Sequence, residues 1–391
     1  IAFARHGGRV NTDFIDNSAG VDCSDNEVNI KIALQEPLRS GKLEMDARNT
    51  LLASMTEAVA DIVLRDNFMQ TQALSVAAAG GAATLPALQR VIQMLEARGQ
   101  LNRRVEQLPT DEQLTQRAAT GMGLTRPELA ILLAYAKTSL YESLVASGVP
   151  DDAVLAEDLS MAFPDELEGR FPAEIPSHTL RREIIATKLA NQIVNRGGIA
   201  LAFELAEEHG TTLAHVAAAF IAARELFDLR NLWRSIDAAD IDAAAHLMLH
   251  ARSIQVLRLH MSDLIRVTDV GDKPSDTVTA LRPGIATLAE DIDTLLRAEP
   301  RAYLERLRQE LATGGAPHDI AERMIDLQAL DGGVSTSRLA FDVGVNVCDV
   351  ANAYTLLGQE VGLDWAKSAA AQMSPTDPWE RLLVAGLVRD F

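Results

Sequence analysis

From Met45 onward, apolar residues recur at three- and four-residue intervals along almost all of the 391-residue chain. Leu51, Leu52, Met55, Val59, Ile62 and Val63 mark one stripe, and Leu88, Val91, Ile92 and Leu95 another. That spacing lines one face of an α-helix, which must be buried against a neighbour. No series of strand-like runs follows residue 36, so a complete parallel nucleotide-binding sheet cannot be built from this chain. Aromatics are only 4%, which leaves the core to Leu, Ile, Val, Ala and Met.

Local signals divide the helices. The uncharged run Asn67 to Gln89 is 23 residues, long enough to cross a bilayer. Its content argues otherwise: it carries Asn67, Gln70, Thr71, Gln72 and Pro86, and Gly80-Gly81 reads as a break between two helices. Thr125-Arg-Pro-Glu128 has capping-box spacing and predicts a helix to about Ala146, buried on more than one face. Pro150, Pro164, Pro172 and Pro176 exclude long helices between 148 and 176. Helices then resume with Ser177 as a cap and stop at Gly197-Gly198. Thr211 or Thr212 caps another that ends near Arg224, and Asp240 to Val267 forms a long one. A second seam is expected from Asp269 to Gly284, because it contains Pro274 and Pro283. Helices at about 285–297, 299–312, 317–330, 335–342, 346–358 and 362–372 follow, and a last one after Pro375 and Pro378.

Residues 1–36 read differently. Arg9 to Asp16 alternates like a short strand, Asn17 to Gly20 reads as a turn, and a helix is expected from about Asn26. Ser24 and Glu27 have capping-box spacing. Small polar residues at a strand-to-helix turn expose backbone N–H groups and let a ligand approach. Composition alone leaves a binding site and a plain structural turn equally open. The expected fold is mainly α: a multi-helix array following a short strand-containing remnant of a dinucleotide-binding domain. Ile1 is not an initiator Met, and the polar stretch after it reads as the middle of a longer polypeptide.

The formal net charge of −19 argues against a broad nucleic-acid or anionic-membrane surface. The two cysteines, Cys23 and Cys348, form no CxxC pair, which argues against a disulfide framework and fits a reducing cytoplasm. Cys23 reads as a small buried residue rather than a nucleophile. Only Lys31, Lys42, Lys137, Lys188, Lys273 and Lys367 are available as a catalytic lysine. GxGxxG, GxxxxGK[ST] and GxSxG are absent, and Gly121-Met-Gly123 reads as a helix-linking turn. Asp242, His246 and His250 fall on one helical face. With no HExxH pattern and no further ligand nearby, a polar stripe is preferred to a metal site.

Two segments resemble a known family. Ile15 to Ile32, IDNSAGVDCSDNEVNIKI, is similar to the segment closing the dinucleotide domain of the large bacterial NAD-specific glutamate dehydrogenases. Leu180 to Gly198, LRREIIATKLANQIVNRGG, is similar to a helix in their long C-terminal region. The resemblance implies that residues 1–36 end the catalytic core. Residues 37–160 and 161–391 would then be helical subdomains, the second with a further split near 270–284. The smaller hexameric enzymes carry an Asn-Ala-Gly-Gly-Val…Ser…Glu pattern. Asn17, Gly20, Val21, Ser24 and Glu27 match it, with Ser18 and Ala19 replacing the Ala-Gly pair. By that resemblance, Asn17 lies near the nicotinamide end of NAD. Val21 lines the substrate pocket, and the Ser24 hydroxyl bonds the side-chain carboxylate of L-glutamate. The catalytic lysine and aspartate and the glycine-rich cofactor loop would lie upstream, so no catalytic residue and no metal ligand is assigned here. The implied partners are L-glutamate or 2-oxoglutarate, the upstream core of the same polypeptide and further copies in a homo-oligomer. Two alternatives stand beside this reading. One is a non-catalytic helical scaffold or regulatory and oligomerisation module after residue 37. The other is an unrelated helical binding protein.

Overall fold

The structure, a computed structural model, describes residues 1–373 together with Glu380 and residues 383–384. Among them every regular element is helical. The strand expected over Arg9 to Asp16 is not formed: residues 8–12 are irregular and Asp13–Asp16 is a helical turn. The last helix expected after Pro375 and Pro378 falls largely outside the described residues.

Two compact units share the chain. One holds Ile1–Phe220 and Val270–Ser275, and the other Ile221–Asp269 and Asp276–Phe391. The first is built on the helices Arg126–Val145 and Arg181–Gly197, which pack against each other and against Thr56–Ala79. Leu129, Leu132, Leu133, Leu140 and Leu144 are buried from the first, and Ile185, Leu189 and Ile193 from the second. Burial of each such side chain contributes about 1.5–3 kcal/mol. Arg126–Val145 is buried on several sides, as its sequence implies, and the Thr125–Glu128 capping box is present.

The glycine break is also where expected. Thr56–Ala79 gives way to a short 3₁₀ turn, Gly81–Thr84, before Leu85–Ala97. A Cβ added at Gly123 would meet the Gly81 backbone at 2.8 Å, so two glycine turns pack directly together. Short helices alone occupy 149–170. Arg181–Gly197 ends at Gly198, whose φ of +84° suits glycine. It starts later than expected, because the Ser177 hydroxyl donates backward to the Ala173 carbonyl instead of capping. Thr212 accepts from the His215 N–H at the start of Leu213–Leu226.

The second unit centres on Ala243–Val267, which buries Leu249, Val256, Leu257, Met261 and Leu264. Leu229–Ala238, His318–Ala329 and Gly333–Val343 pack against it. The seam expected from Asp269 to Gly284 forms only over 268–273, between Ala243–Val267 and Pro274–Leu295; the latter is one helix with Pro283 inside it. Close packing accompanies it: a Cβ on the neighbouring Gly284 would stand 2.9 Å from the Ser337 side chain.

Candidate functional site

The glutamate dehydrogenase-like segment folds as the helix Ser18–Ala33, eight residues longer at its start than the turn-then-helix reading allows. Asn17 is its first flanking residue, so Asn17 to Gly20 is no turn and Ser24 is an interior residue, not a cap. Tertiary contacts explain the difference. The Ser18 hydroxyl accepts from Asn67 Nδ2 at 2.7 Å and Gln70 Nε2 at 2.6 Å, both on Thr56–Ala79. Those amides are the polar residues that argued against a membrane span, and among the described residues no helix is long and apolar enough to cross a membrane.

The helix is two-faced. Asn26, Ile30 and Ala33 are buried, and Asp22 is half-buried on the same side. Asn17, Gly20, Val21, Ser24 and Val28 are exposed, Val21 by 61%. Spacings of three and four put them on one helical face. The structure therefore brings Asn17, Val21 and Ser24 together on an open surface. Gly20 matters within it: a Cβ there would stand 2.8 Å from Asn17 Oδ1. Ala19 sits in helical backbone and has no positive φ, so the family glycine it replaces is not required for this geometry. Cys23 is exposed on this helix, which corrects its reading as a buried residue.

The residues before the helix are pinned by charge. Glu128, with a fully buried side chain, accepts from Arg117 at 2.7 and 2.9 Å, from Arg5 at 3.0 Å, and from the Thr125 N–H and hydroxyl at 2.8 Å each. Burial pushes its carboxyl up, but Arg117, Thr125 and Arg5 together outweigh that and hold its pKa at about 2. Arg126 donates to Asn11, to Ser75 Oγ and to the Thr71 carbonyl. At the far end, the Leu180 N–H donates to His178 Nδ1, which leaves Nε2–H to donate to the Asn29 carbonyl.

Behind the motif helix lies a group of charges that sequence reasoning missed. Lys188 bonds Asp66 at 2.7 Å. Burial raises the Asp22 carboxyl against the pull of Lys188. Burial also lowers Lys137 to about 8, against Asp66 and Asp22. Lys188 belongs to the second family-like segment and Asp22 to the first, so this cluster joins the two. The available signals were the scarcity of lysine and the i,i+4 pair Asp22–Asn26, whose side chains hydrogen-bond at 3.0 Å.

Asp242, His246 and His250 do not converge on a metal. Asp242 caps Ala243–Val267 through the Ala245 N–H, His246 Nε2 lies 3.0 Å from the Ala239 carbonyl, and His250 lies 3.2 Å from Asp237. A cleft of about 390 Å³ in the second unit, lined by Asp293, Arg301, Glu305, Arg308 and Asp326 among others, contains none of the residues singled out from sequence.

Residues 121–391 match the family model for the glutamate dehydrogenase C-terminal region, and residues 1–77 match that for the bacterial NAD-glutamate dehydrogenase catalytic domain. NAD-specific glutamate dehydrogenases from Halomonas elongata and Pseudomonas aeruginosa are each 36% identical, over 96% and 98% of this chain. That from Mycobacterium tuberculosis is 34% identical over 98%. The chain spans about a quarter of the length of these relatives, 23% of the first and 24% of the other two. The chain belongs to the glutamate dehydrogenase C-terminal family.

Proposed function

We propose that this chain is part of a cytoplasmic, homo-oligomeric NAD-specific glutamate dehydrogenase, and that Asn17, Val21 and Ser24 form one wall of its substrate and cofactor pocket. The observation that carries the reading is their shared exposed face on a helix whose opposite face is anchored. The chemistry fits a short dicarboxylate: the Ser24 hydroxyl offers a donor to the side-chain carboxylate and Val21 a methyl-bearing wall. Asn17 offers both an amide donor and an acceptor, which suits the carboxamide of nicotinamide. The described residues contain no dinucleotide-binding sheet, and on this reading the rest of NAD, with the catalytic lysine and aspartate, is held by the upstream core.

In the full polypeptide, L-glutamate, NAD and water become 2-oxoglutarate, ammonium, NADH and a proton. NAD supplies the hydride acceptor. This chain binds and orients the substrate, and it excludes water on one side. On this reading residues 1–36 are the end of the core and 37–160 and 161–391 are helical subdomains, in which Asn67 and Gln70 hold Ser18 of the motif helix, Glu128 holds Arg5 before it, and Lys188 pairs with Asp66 behind it.

Ser24→Ala in the full-length enzyme tests the assignment. The expected result is a KM for glutamate raised about tenfold or more, the loss of one hydrogen bond to a charged group, with KM for NAD little changed. An unchanged glutamate KM would show that Ser24 does not face the substrate. A second reading, an interaction module after residue 37, is favoured by the apolar surface of the last helices.

A further inference from the structure

Behind the motif helix, Lys188 and Asp66 are bonded to each other, but Asp22 and Lys137 have no ion pair among the described residues. The Asp22 carboxylate accepts only from Asn26, at 3.0 Å. Lys137, partly buried on Arg126–Val145, has no hydrogen-bond partner among the described residues. All of these residues belong to the first unit. Thr56–Ala79, which carries Asp66, packs against Ser18–Ala33, Arg126–Val145 and Arg181–Gly197 alike, and so joins the helices that carry the two unpaired charges.

The carboxylates of Asp22 and Asp66 balance the ammonium groups of Lys137 and Lys188. Burial lowers the Lys137 amine to about 8 against the pull of Asp66 and Asp22, so it is charged at pH 7 and loses its proton as pH rises through that value. Other charges on the elements packed around Lys137 act elsewhere. Arg90 and Glu96 of Leu85–Ala97 pair with Glu207 and Arg103, and Asp151 of Val149–Asp151 pairs with Arg181 and Arg182. Glu183 acts on His178, and Arg196 lies 3.5 Å from Met69 Sδ. Glu57, Asp61 and Arg65 of Thr56–Ala79 are exposed, as is Asp25, which adds to the negative field at Asp22. Without the Lys137 charge the cluster holds one negative charge in excess. Asp22, the carboxylate with no direct cation, relieves it by turning toward water. Asp22 directly follows Val21, so that movement rolls the helical face that carries Val21 and Ser24.

We propose that Lys137 is a positioning residue for glutamate: its charge balances Asp22 on the back of the motif helix and thereby sets how Val21 and Ser24 face the substrate. The inference rests on the reading of that face as a wall of the glutamate pocket. On that reading an excess negative charge would also stand behind the hydroxyl that meets a substrate carboxylate, and the two would repel. Both effects weaken glutamate binding and leave the chemical step alone.

Steady-state kinetics of the full-length polypeptide at pH 7 and pH 9 test it. Lys137→Met, which keeps the length of the side chain and removes its charge, is expected to raise the glutamate KM about fivefold at pH 7, with kcat and the NAD KM changed less than about twofold. The ratio of its glutamate KM to the wild-type value is expected to fall toward one at pH 9, where the wild-type amine is itself neutral. Adding Asp22→Asn, which removes the excess negative charge, is expected to restore the glutamate KM at pH 7 to within about twofold of wild type. Lys137→Arg, which keeps its charge at both pH values, is expected to match wild type at pH 7 and to show the lower glutamate KM at pH 9; it decides the matter if Lys137→Met does not fold. An unchanged KM in Lys137→Met, beside a raised KM in Ser24→Ala, would overturn the positioning role and leave the pocket standing. A KM raised equally at both pH values and not restored by Asp22→Asn would make Lys137 a packing residue and overturn the role as well. If Ser24→Ala also leaves the glutamate KM unchanged, the pocket fails and the positioning role falls with it.

Discussion

The motif helix Ser18–Ala33 and the packed helix pair Gly333–Val343 and Val347–Glu360 both leave large side chains open, but they are built in opposite ways. Ser18–Ala33 exposes a mixed face of Asn17, Val21 and Ser24, and its back is fixed by hydrogen bonds to Asn67 and Gln70. Gly333–Val343 and Val347–Glu360 expose Leu339, Phe341, Tyr354 and Leu357, and they bury mostly small residues, among them Gly333, Ser337, Ala340, Ala351 and Gly358. Directional bonds fix position, which a substrate wall needs. Non-directional apolar area gives association, which a binding face needs. On the function proposed, the anchored helix is the part of the chain tied to the chemistry.

The largest expected effect falls on the anchored region. Glu128→Ala removes the common acceptor of Arg5, Arg117 and Thr125 and strands a buried guanidinium. It is expected to destabilise the first unit by about 3–5 kcal/mol, read as a lower urea midpoint, and to loosen the residues before the motif helix. A loss below about 1 kcal/mol would mean that the anchoring is diffuse.

The same carboxylate sets an acid limit. Its folded pKa of about 2 lies below its unfolded value of 4.5, so its contribution is complete above pH 4.5 and is lost as pH falls toward 2. The size is about 3 kcal/mol. Stability measured from pH 6 to 2 is expected to fall in that window, and Glu128→Gln is expected to flatten the slope.

The smallest effect compares the two backs and faces directly. Asn67→Ala, which removes one donor to Ser18, is expected to cost about 1 kcal/mol. Leu357→Ala, on an exposed position, is expected to change monomer stability by less than about 0.5 kcal/mol. Thermal unfolding of the two variants side by side checks it. Equal losses would erase the distinction between an anchored helix and an open face.

The local rules were legible in the chain itself. Apolar spacing marked the helices, Thr125–Glu128 and Gly198 marked ends, Gly80-Gly81 marked a break, and clustered prolines marked 148–176. Each of these acts within about four residues, so one sequence suffices to read it. What only the tertiary structure decided were the matters set by distant partners. Ser18 is held helical by residues 49 and 52 positions away, and Arg5 reaches Glu128 across 123. Pro283 stays inside a helix, beside a Gly284 that packs closely on Ser337. Lys188 meets Asp66 behind the motif, and Tyr354 and Leu357 face outward although their residue types predict burial. Periodicity says that a face must be covered, and it does not say which element, or which molecule, covers it.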